Sequence, residues 1–426
     1  MEEALSFPEI EEVQRQAWRE TYGYVLARSP FYRRHFQRAG LSPREELPLD
    51  QLEAIPPIEK RTLSEDPGGF LCVPEAEVVD VVTTSGTTGQ PLIWKLTEAD
   101  LERLAWNEYL SFRCAGFSRA DTVLLGVALD RCFIAGMAYF LGLRKLGCSV
   151  LRVGSSAPLM HLDMLRRVPA TAIVGVPSFL CRVAEKAAEA GLDLPAQGVR
   201  KAVCIGEPVR GVDFAPNRVG ATLERRWGAR VYATYGVTEL AASLCECEAG
   251  RGGHLHPQFL FVEALDEQGR RVKDGEIGEV TATTLGVEGM PLVRYRTGDC
   301  AALYRAPCGC GRRTLRLGPI VGRRQHKLKV KGTTVFPSTL KAVLDSVPEV
   351  SAFIIIARRQ DSLCDSVEVR IACSANAGGV AGLLRERFRG EAKVVPEVKA
   401  ATLEEIEALQ MPEGGRKRRY FIDLRR

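Results

Sequence analysis

No run of about 20 consecutive apolar residues, the length a membrane-spanning helix needs, occurs in this sequence, so no membrane partner is expected. The first residues, MEEALSFPEIEEVQRQAW, lack the basic-then-apolar layout of a signal peptide, which makes the cytoplasm the expected location. A dominant charge is missing too. With 58 basic against 53 acidic residues the net charge is only +5, too even to call for a nucleic-acid partner, although it suits an anionic nucleotide. There is no internal repeat and no low-complexity segment. Cysteine, by contrast, is plentiful. Thirteen in a chain expected to meet a reducing compartment read as thiols or metal ligands rather than a disulfide framework. Five of them, Cys114, Cys132, Cys148, Cys181 and Cys204, lie in apolar stretches and are expected to be small buried hydrophobes.

At 426 residues the chain exceeds one ordinary core, so a large domain with a smaller one attached is expected. Residues 1–78 read as an N-terminal helical segment of the large domain, punctuated by Pro30, Pro43, Pro48, Pro56 and Pro57. From 79 apolar strand-like runs (VVDVVTT, TVLLGVAL, TAIVGVP, KAVCIG, VYATYG) alternate with amphipathic helices (DLERLAWNEYLSF, FLCRVAEKAAEAG). That alternation predicts an α/β fold with a mostly parallel sheet covered by helices, the large domain running to 321. Ligands of such sheets bind beyond the carboxyl ends of the strands. Within it, 243–321 turns to short strands and tight turns and reads as a β subdomain. Residues 322–426 carry their own strand and helix pattern and form a small C-terminal α+β domain.

Three stretches carry chemistry. In TTSGTTGQP the glycines Gly86 and Gly89 are interleaved with Thr84, Ser85, Thr87 and Thr88, a loop whose amides and hydroxyls can surround phosphates. It is not a Walker loop, because Gln90 stands where the lysine belongs. In VYATYGVTE a strand ends at Tyr235, with Thr238 and Glu239 just beyond. A carboxylate beside a hydroxyl there suits Mg²⁺ held partly by phosphate oxygens. In YRTGD, Asp299 ends a turn and could accept hydrogen bonds from ribose hydroxyls.

In this order and spacing, together with SPFYRRHF at 29–36, PIEKRTL at 57–63, GEP at 206–208 and VGRRQHKLKVKGTTVFPS at 321–338, these stretches resemble the adenylate-forming superfamily. The resemblance is to its phenylacetate-coenzyme A ligase branch, and it covers nearly the whole chain. It implies an AMP-forming acid–thiol ligase. Such an enzyme activates a carboxylic acid with ATP and Mg²⁺, releases pyrophosphate, and passes the acyl group to coenzyme A. Carried over by position, Thr84, Ser85, Gly86, Thr87, Thr88 and Gly89 would hold phosphates, Glu207 and Tyr235 would flank adenine, and Thr238 would touch the α-phosphate. Glu239 would bind Mg²⁺, Asp299 would take the ribose, and Arg323 would lie near the ribose or phosphate. The adenylation lysine falls at Lys417. After Gly322-Arg323 this chain has Gln325 and His326 where the branch usually has aspartates, a departure at the interdomain hinge. A carrier-protein thiol, an amine or a cofactor hydroxyl as acceptor, and a non-catalytic nucleotide binder, are the other readings. A homodimer is compatible with the resemblance.

Cys247 and His254 flank a glycine-rich turn, and Cys308 and Cys310 form a close pair in APCGCGRR. Three thiolates and an imidazole make a tetrahedral zinc set whose role would be structural, with Cys245 and His256 near enough to substitute. Some relatives of the branch show similar spacing. Phe133, Ile134, Met137, Tyr139 and Ala233 are the expected lining of an acyl pocket suited to an aryl or arylacetic acid.

Overall fold

The computed structural model describes residues 5–41, 46–84, 91–155, 157–330, 333–360, 364–374, 377–411 and 419–425. The chain divides into two compact units, residues 1–297 with 301–320, and residues 298–300 with 321–426. No helix among the described residues is long and apolar enough to cross a membrane.

The first unit begins with α1 (Phe7–Arg28), started by a capping box in which Ser6 and Glu9 bond each other's backbone. Trp18, Tyr22 and Val25 recur at helical spacing and face inward, and Trp18 Nε1 donates to Leu47 O at 2.7 Å. Ser29 ends α1 and caps α2 (Pro30–Arg38), where Pro30 occupies the first helical position at no cost in hydrogen bonds. Two short helices, α3 (Lys60–Glu65) and α4 (Pro67–Phe70), lead to the antiparallel hairpin of β1 (Asp80–Thr83) and β2 (Ile93–Leu96). Its inner face buries Val82, Trp94 and Leu96 against the α1 and α2 cluster, each large side chain contributing about 1.5–3 kcal/mol.

Next come α5 (Glu98–Cys114), β3 (Thr122–Gly126), α6 (Ile134–Leu146), β4 (Ser149–Arg152), α7 (Pro158–Arg167) and β5 (Ala172–Gly175). They are followed by α8 (Pro177–Glu189), β6 (Lys201–Cys204), α9 (Arg218–Trp227) and β7 (Arg230–Val237). The strands pair in parallel in the order β4-β3-β5-β6-β7. Successive side chains point to opposite faces. Leu124, Ile173 and Ala202 therefore pack with α7, α8 and α9, while Val123, Val174 and Val203 meet Phe112 of α5 and Leu143 of α6. Burial on both faces explains the near-continuous apolar runs. α5 and α6 approach so closely that a Cβ on Gly142 would stand 2.3 Å from Glu108 Cβ, which requires glycine there.

β7 changes partner halfway. Residues 230–233 pair with β6 in parallel, and Thr234–Val237 pair antiparallel with β8 (Ala242–Glu246). The strands β9 (Gly253–His254), β10 (Leu260–Leu265), β11 (Ile277–Thr284), β12 (Tyr295–Tyr304) and β13 (Arg316–Leu317) continue the same sheet in the order β10-β11-β12-β13-β9-β8-β7. The stretch after 243 thus extends the parallel sheet.

In the second unit β14 (Gly322–Arg323) pairs with Asp299 and Cys300. The hairpin of β15 (Leu328–Val330) and β16 (Thr333–Val335) precedes α10 (Pro337–Asp345), β17 (Val350–Arg359), β18 (Asp365–Cys373), α11 (Ala377–Arg387), β19 (Glu397–Ala400), α12 (Leu403–Gln410) and β20 (Phe421–Leu424). The sheet order is β19-β18-β17-β20, with Leu340, Val343, Ile355, Val369, Leu384 and Phe388 in its core.

Candidate active site

Glu239 sits on a single 3-10 turn, Thr238–Leu240, at the carboxyl end of β7, and the chain reverses at Ala241 with φ +44°. Arg103 of α5 pins this corner. Its side chain is buried and its guanidinium donates to the carbonyls of Ala241 (2.9 Å), Phe259 (2.6 Å) and Leu285 (2.7 Å). Burial draws its pKa down to about 10, still cationic at neutral pH.

The Glu239 side chain is 6% exposed. Its Oε1 accepts from Tyr295 Oη at 3.1 Å and lies 3.3 Å from Lys60 Nζ. Lys60 Nζ also donates to Thr84 Oγ1 at 3.2 Å. Thr84 pairs with Leu92: its N–H donates to Leu92 O at 3.0 Å and its Oγ1 accepts from Leu92 N at 2.9 Å. Lys60 thus joins the Thr84 hydroxyl to the Glu239 carboxylate. It gets there because Ile58 is stitched to β12: Ile58 N donates to Arg294 O and Arg296 N donates to Ile58 O, a parallel bridge opposite Tyr295. Arg294 stiffens the junction from φ +50°, with Nε 3.0 Å from Glu263 Oε2 and Nη1 donating to Ile55 O at 2.7 Å.

Sequence reading missed Lys60, although PIEKRTL put a lysine just past two prolines. Ser85, Gly86, Thr87, Thr88, Gly89 and Lys417 lie outside the described residues.

Glu207 faces the start of α8, where its carboxylate accepts from Ser178 N at 2.9 Å and Ser178 Oγ at 2.7 Å. Its loop begins at Gly206, φ +74°, just past β6. Tyr235 is half-buried against the large cluster of the first unit. In the second unit Asp299 stands opposite Arg323, with Arg323 Nε 3.2 Å from Asp299 Oδ1. Of the expected acyl-pocket residues, Phe133 and Met137 lie one helical turn apart and are exposed. Ile134 and Tyr139 are buried in two different core clusters. Cys132 is exposed rather than buried, because the chain takes φ +61° and +54° at Arg131 and Cys132 in the loop before α6. Cys148 and Cys181 are half-buried.

A buried polar layer lies between α5 and β8. Asn107 Oδ1 accepts from Ser243 N at 2.7 Å, and Glu108 Oε2 accepts from Ser243 Oγ at 2.9 Å. Burial pushes the Glu108 carboxyl up to about 8.

The thiols Cys247, Cys308 and Cys310 and the imidazole of His254 converge, their ligand atoms all within 4.8 Å of one another. Cys247 Sγ is 3.6 Å from Cys308 Sγ, and Cys310 Sγ is 3.5 Å from His254 Nε2. Sulfurs bonded to one tetrahedral zinc at about 2.3 Å would stand roughly 3.8 Å apart, whereas a disulfide needs about 2 Å. His254 Nδ1 is bonded to Thr314 Oγ1 at 2.9 Å, which leaves Nε2 directed at the thiols. Burial lowers the His254 pKa to about 3, so the ring is neutral as a ligand must be. The residues fit zinc. β9 returns against β8 to deliver His254, and a turn in which Cys308 N bonds Arg312 O delivers the other two thiols. Cys245 lies in the neighbouring core, and His256 Nε2 is 3.1 Å from Ser111 Oγ.

Residues 42–288 match the family described as AMP-binding enzyme. The chain is 29% identical over 377 residues to the phenylacetate-coenzyme A ligase of Thermus thermophilus, covering 87% of this chain and 83% of that one. It is 28% identical over 347 residues to that of Pseudomonas putida, covering 80% and 77%. Among solved structures, 2-hydroxyisobutyryl-CoA ligase in the postadenylation state with 2-HIB-AMP superposes with a TM-score of 0.82 at 22% identity, over 98% of this chain and 89% of that one. The same ligase with 2-HIB-AMP and CoA in the thioesterification state gives 0.72 at 23% identity, over 99% and 91%.

Proposed function

The chain belongs to the AMP-binding enzyme family, in its phenylacetate-coenzyme A ligase-like branch, and on that premise we propose how its residues carry out acid activation and thioester formation. It is an AMP-forming ligase that joins a carboxylic acid to coenzyme A by way of an acyl-adenylate. The acid is aryl or arylacetic, a class supported by the names of the relatives and by the exposed Phe133 and Met137.

A carboxylic acid with a pKa near ~4.3 is already ionised at neutral pH, so the first step needs no general base. The barrier is the approach of one anion to another, the α-phosphate, and catalysis consists of positioning and charge neutralisation. The observation that carries this reading is the bridge from Thr84 through Lys60 to Glu239, which gathers a hydroxyl, an ammonium and a buried carboxylate at the carboxyl edge of the sheet. Lys60 supplies a fixed positive charge beside the phosphate loop. The loop of Thr84, Ser85, Gly86, Thr87, Thr88 and Gly89 cradles phosphates, Thr238 meets the α-phosphate, and Glu207 and Tyr235 flank adenine. Magnesium would be held by Glu239, whose single buried carboxylate suits an ion that takes one or two carboxylates with phosphate and water. It would neutralise phosphate charge. Asp299 receives the ribose, Arg323 lies beside it, and Lys417 completes the cation set for adenylation.

In the second step the small C-terminal domain turns about the segment after Gly322-Arg323 and admits the thiol, a hinge motion. Cys247, His254, Cys308 and Cys310 bind a structural zinc that ties β9 to the 308–310 turn. A reducing cytoplasm keeps these thiols available. The test is formation of phenylacetyl-coenzyme A from phenylacetate, ATP, Mg²⁺ and coenzyme A. Thioester and AMP in equal amounts are expected. AMP without thioester would point to another acceptor.

A further inference from the structure

Beyond Gly322-Arg323 the sequence sets Gln325 and His326 where acidic residues were expected, and the structure brings acids to this segment from elsewhere. Arg425, near the end of the chain, has a side chain only 8% exposed. Its Nη2 donates to Gln325 O at 2.8 Å and its Nη1 to Lys327 O at 2.7 Å. Two carboxylates hold the guanidinium in that pose. Asp423 accepts from Nε at 2.8 Å and from Nη2 at 2.6 Å, and Asp365, at the start of β18, accepts from Nη1 at 3.0 Å. The same Asp365 Oδ2 accepts from Lys329 N at 2.8 Å. A planar fork bonded to two carbonyls and two carboxylates has almost no rotational freedom left.

The backbone on the other side of this point is also fixed. β14 is paired to Asp299 and Cys300, and Gly322, at φ +150°, is held where a Cβ would stand 2.8 Å from the Phe336 ring. Between the paired Arg323 and the clamped Gln325 carbonyl lies Arg324, whose own carbonyl accepts from Lys327 N at 3.2 Å, so the turn Arg324–His326 belongs to the clamped side.

We propose that Arg425 is a positioning residue for thioester formation: by clamping Gln325 and Lys327 to Asp365 and Asp423 it confines backbone rotation to the link between Arg323 and Arg324. The inference rests on the reading above, in which the small C-terminal domain turns between the two steps. With the clamp intact, a change of one or two torsions carries everything after Gln325 as a rigid body. With it broken, the rotation spreads over 325–329 and the rigid body no longer arrives in register with the bound adenylate.

The test uses the full-length enzyme with Arg425→Lys, which keeps a cation beside Asp365 but cannot reach both carbonyls, and Arg425→Gln as a second variant. Hydrogen exchange is followed at the Lys327 and Lys329 amides, with the β17 amides as the internal control. An increase of tenfold or more confined to 327 and 329 is expected, and exchange matching wild type would overturn the clamp. With phenylacetate, single-turnover adenylate formation should stay within twofold while transfer to coenzyme A slows at least tenfold at unchanged KM for coenzyme A. Loss of both steps in parallel with a lowered Tm would show a merely structural role. A wild-type enzyme that makes no adenylate from any acid would instead overturn the ligase reading, and the exchange result would still decide the clamp.

Discussion

Arg323 lies directly across from Asp299 in the antiparallel pairing of β12 and β14, its Nε 3.2 Å from Oδ1 of a carboxylate that is 10% exposed. An aspartate in this setting is held in one rotamer by a cation. Asp299→Ala is therefore expected to raise the KM for ATP roughly tenfold or more, the usual cost of losing hydrogen bonds to a charged group. Arg323→Ala should raise it less. A double-mutant cycle in which the two effects simply add would contradict the coupling seen here.

Lys60→Met removes the ammonium between Thr84 and Glu239 while keeping the stem. Acid-dependent pyrophosphate release is expected to fall roughly tenfold to a hundredfold, by analogy with loss of one fixed electrostatic donor at a reacting centre. Because the Glu239 carboxylate that loses its cation is only 6% exposed, the melting temperature should fall modestly, by far less than the activity. A large drop in Tm with proportionate loss of activity would reassign Lys60 to structure.

For Glu108 the unfolded carboxyl ionises near the ordinary carboxylate value, while the folded one holds its proton up to about 8. A folded pKa raised above the unfolded one gives stability that is full at low pH and lost as pH rises through this window. The loss is at most about 1.4 kcal/mol per pH unit. Glu108→Gln keeps an acceptor for Ser243 but cannot ionise, so its stability relative to wild type should grow between pH 5.5 and 8 in urea titrations. A pH-independent difference would count against the buried neutral acid.

Metal analysis of the purified protein should return one zinc per chain, and Cys308→Ser should lose it. Stripping with a chelator is expected to lower Tm by roughly 5 °C or more, since a structural metal contributes directly to folding. Full stability in a metal-free preparation would remove zinc from the account.

Much of this was legible in the sequence because it is local. The parallel strands announced themselves as short apolar runs between amphipathic helices, since both faces are buried. What the sequence hid depends on pairing between distant segments. β7 hands over from β6 to β8 in mid-strand, so residues after 243 extend one sheet, a matter of register that no local pattern encodes. Lys60 reaches Glu239 only because Ile58 bridges to Tyr295, and Arg425 reaches Gln325 only because β20 lies beside β17. Cys132 looked apolar in context, yet two consecutive left-handed residues turn its loop outward.

The most direct test of the central claim is pyrophosphate release from ATP and Mg²⁺ across a panel of aryl, arylacetic and short aliphatic acids, with wild type beside Lys417→Ala. The account predicts release that depends on the acid, is greatest for an aryl or arylacetic member, and collapses in the variant. Tight ATP binding with no release for any acid would contradict it.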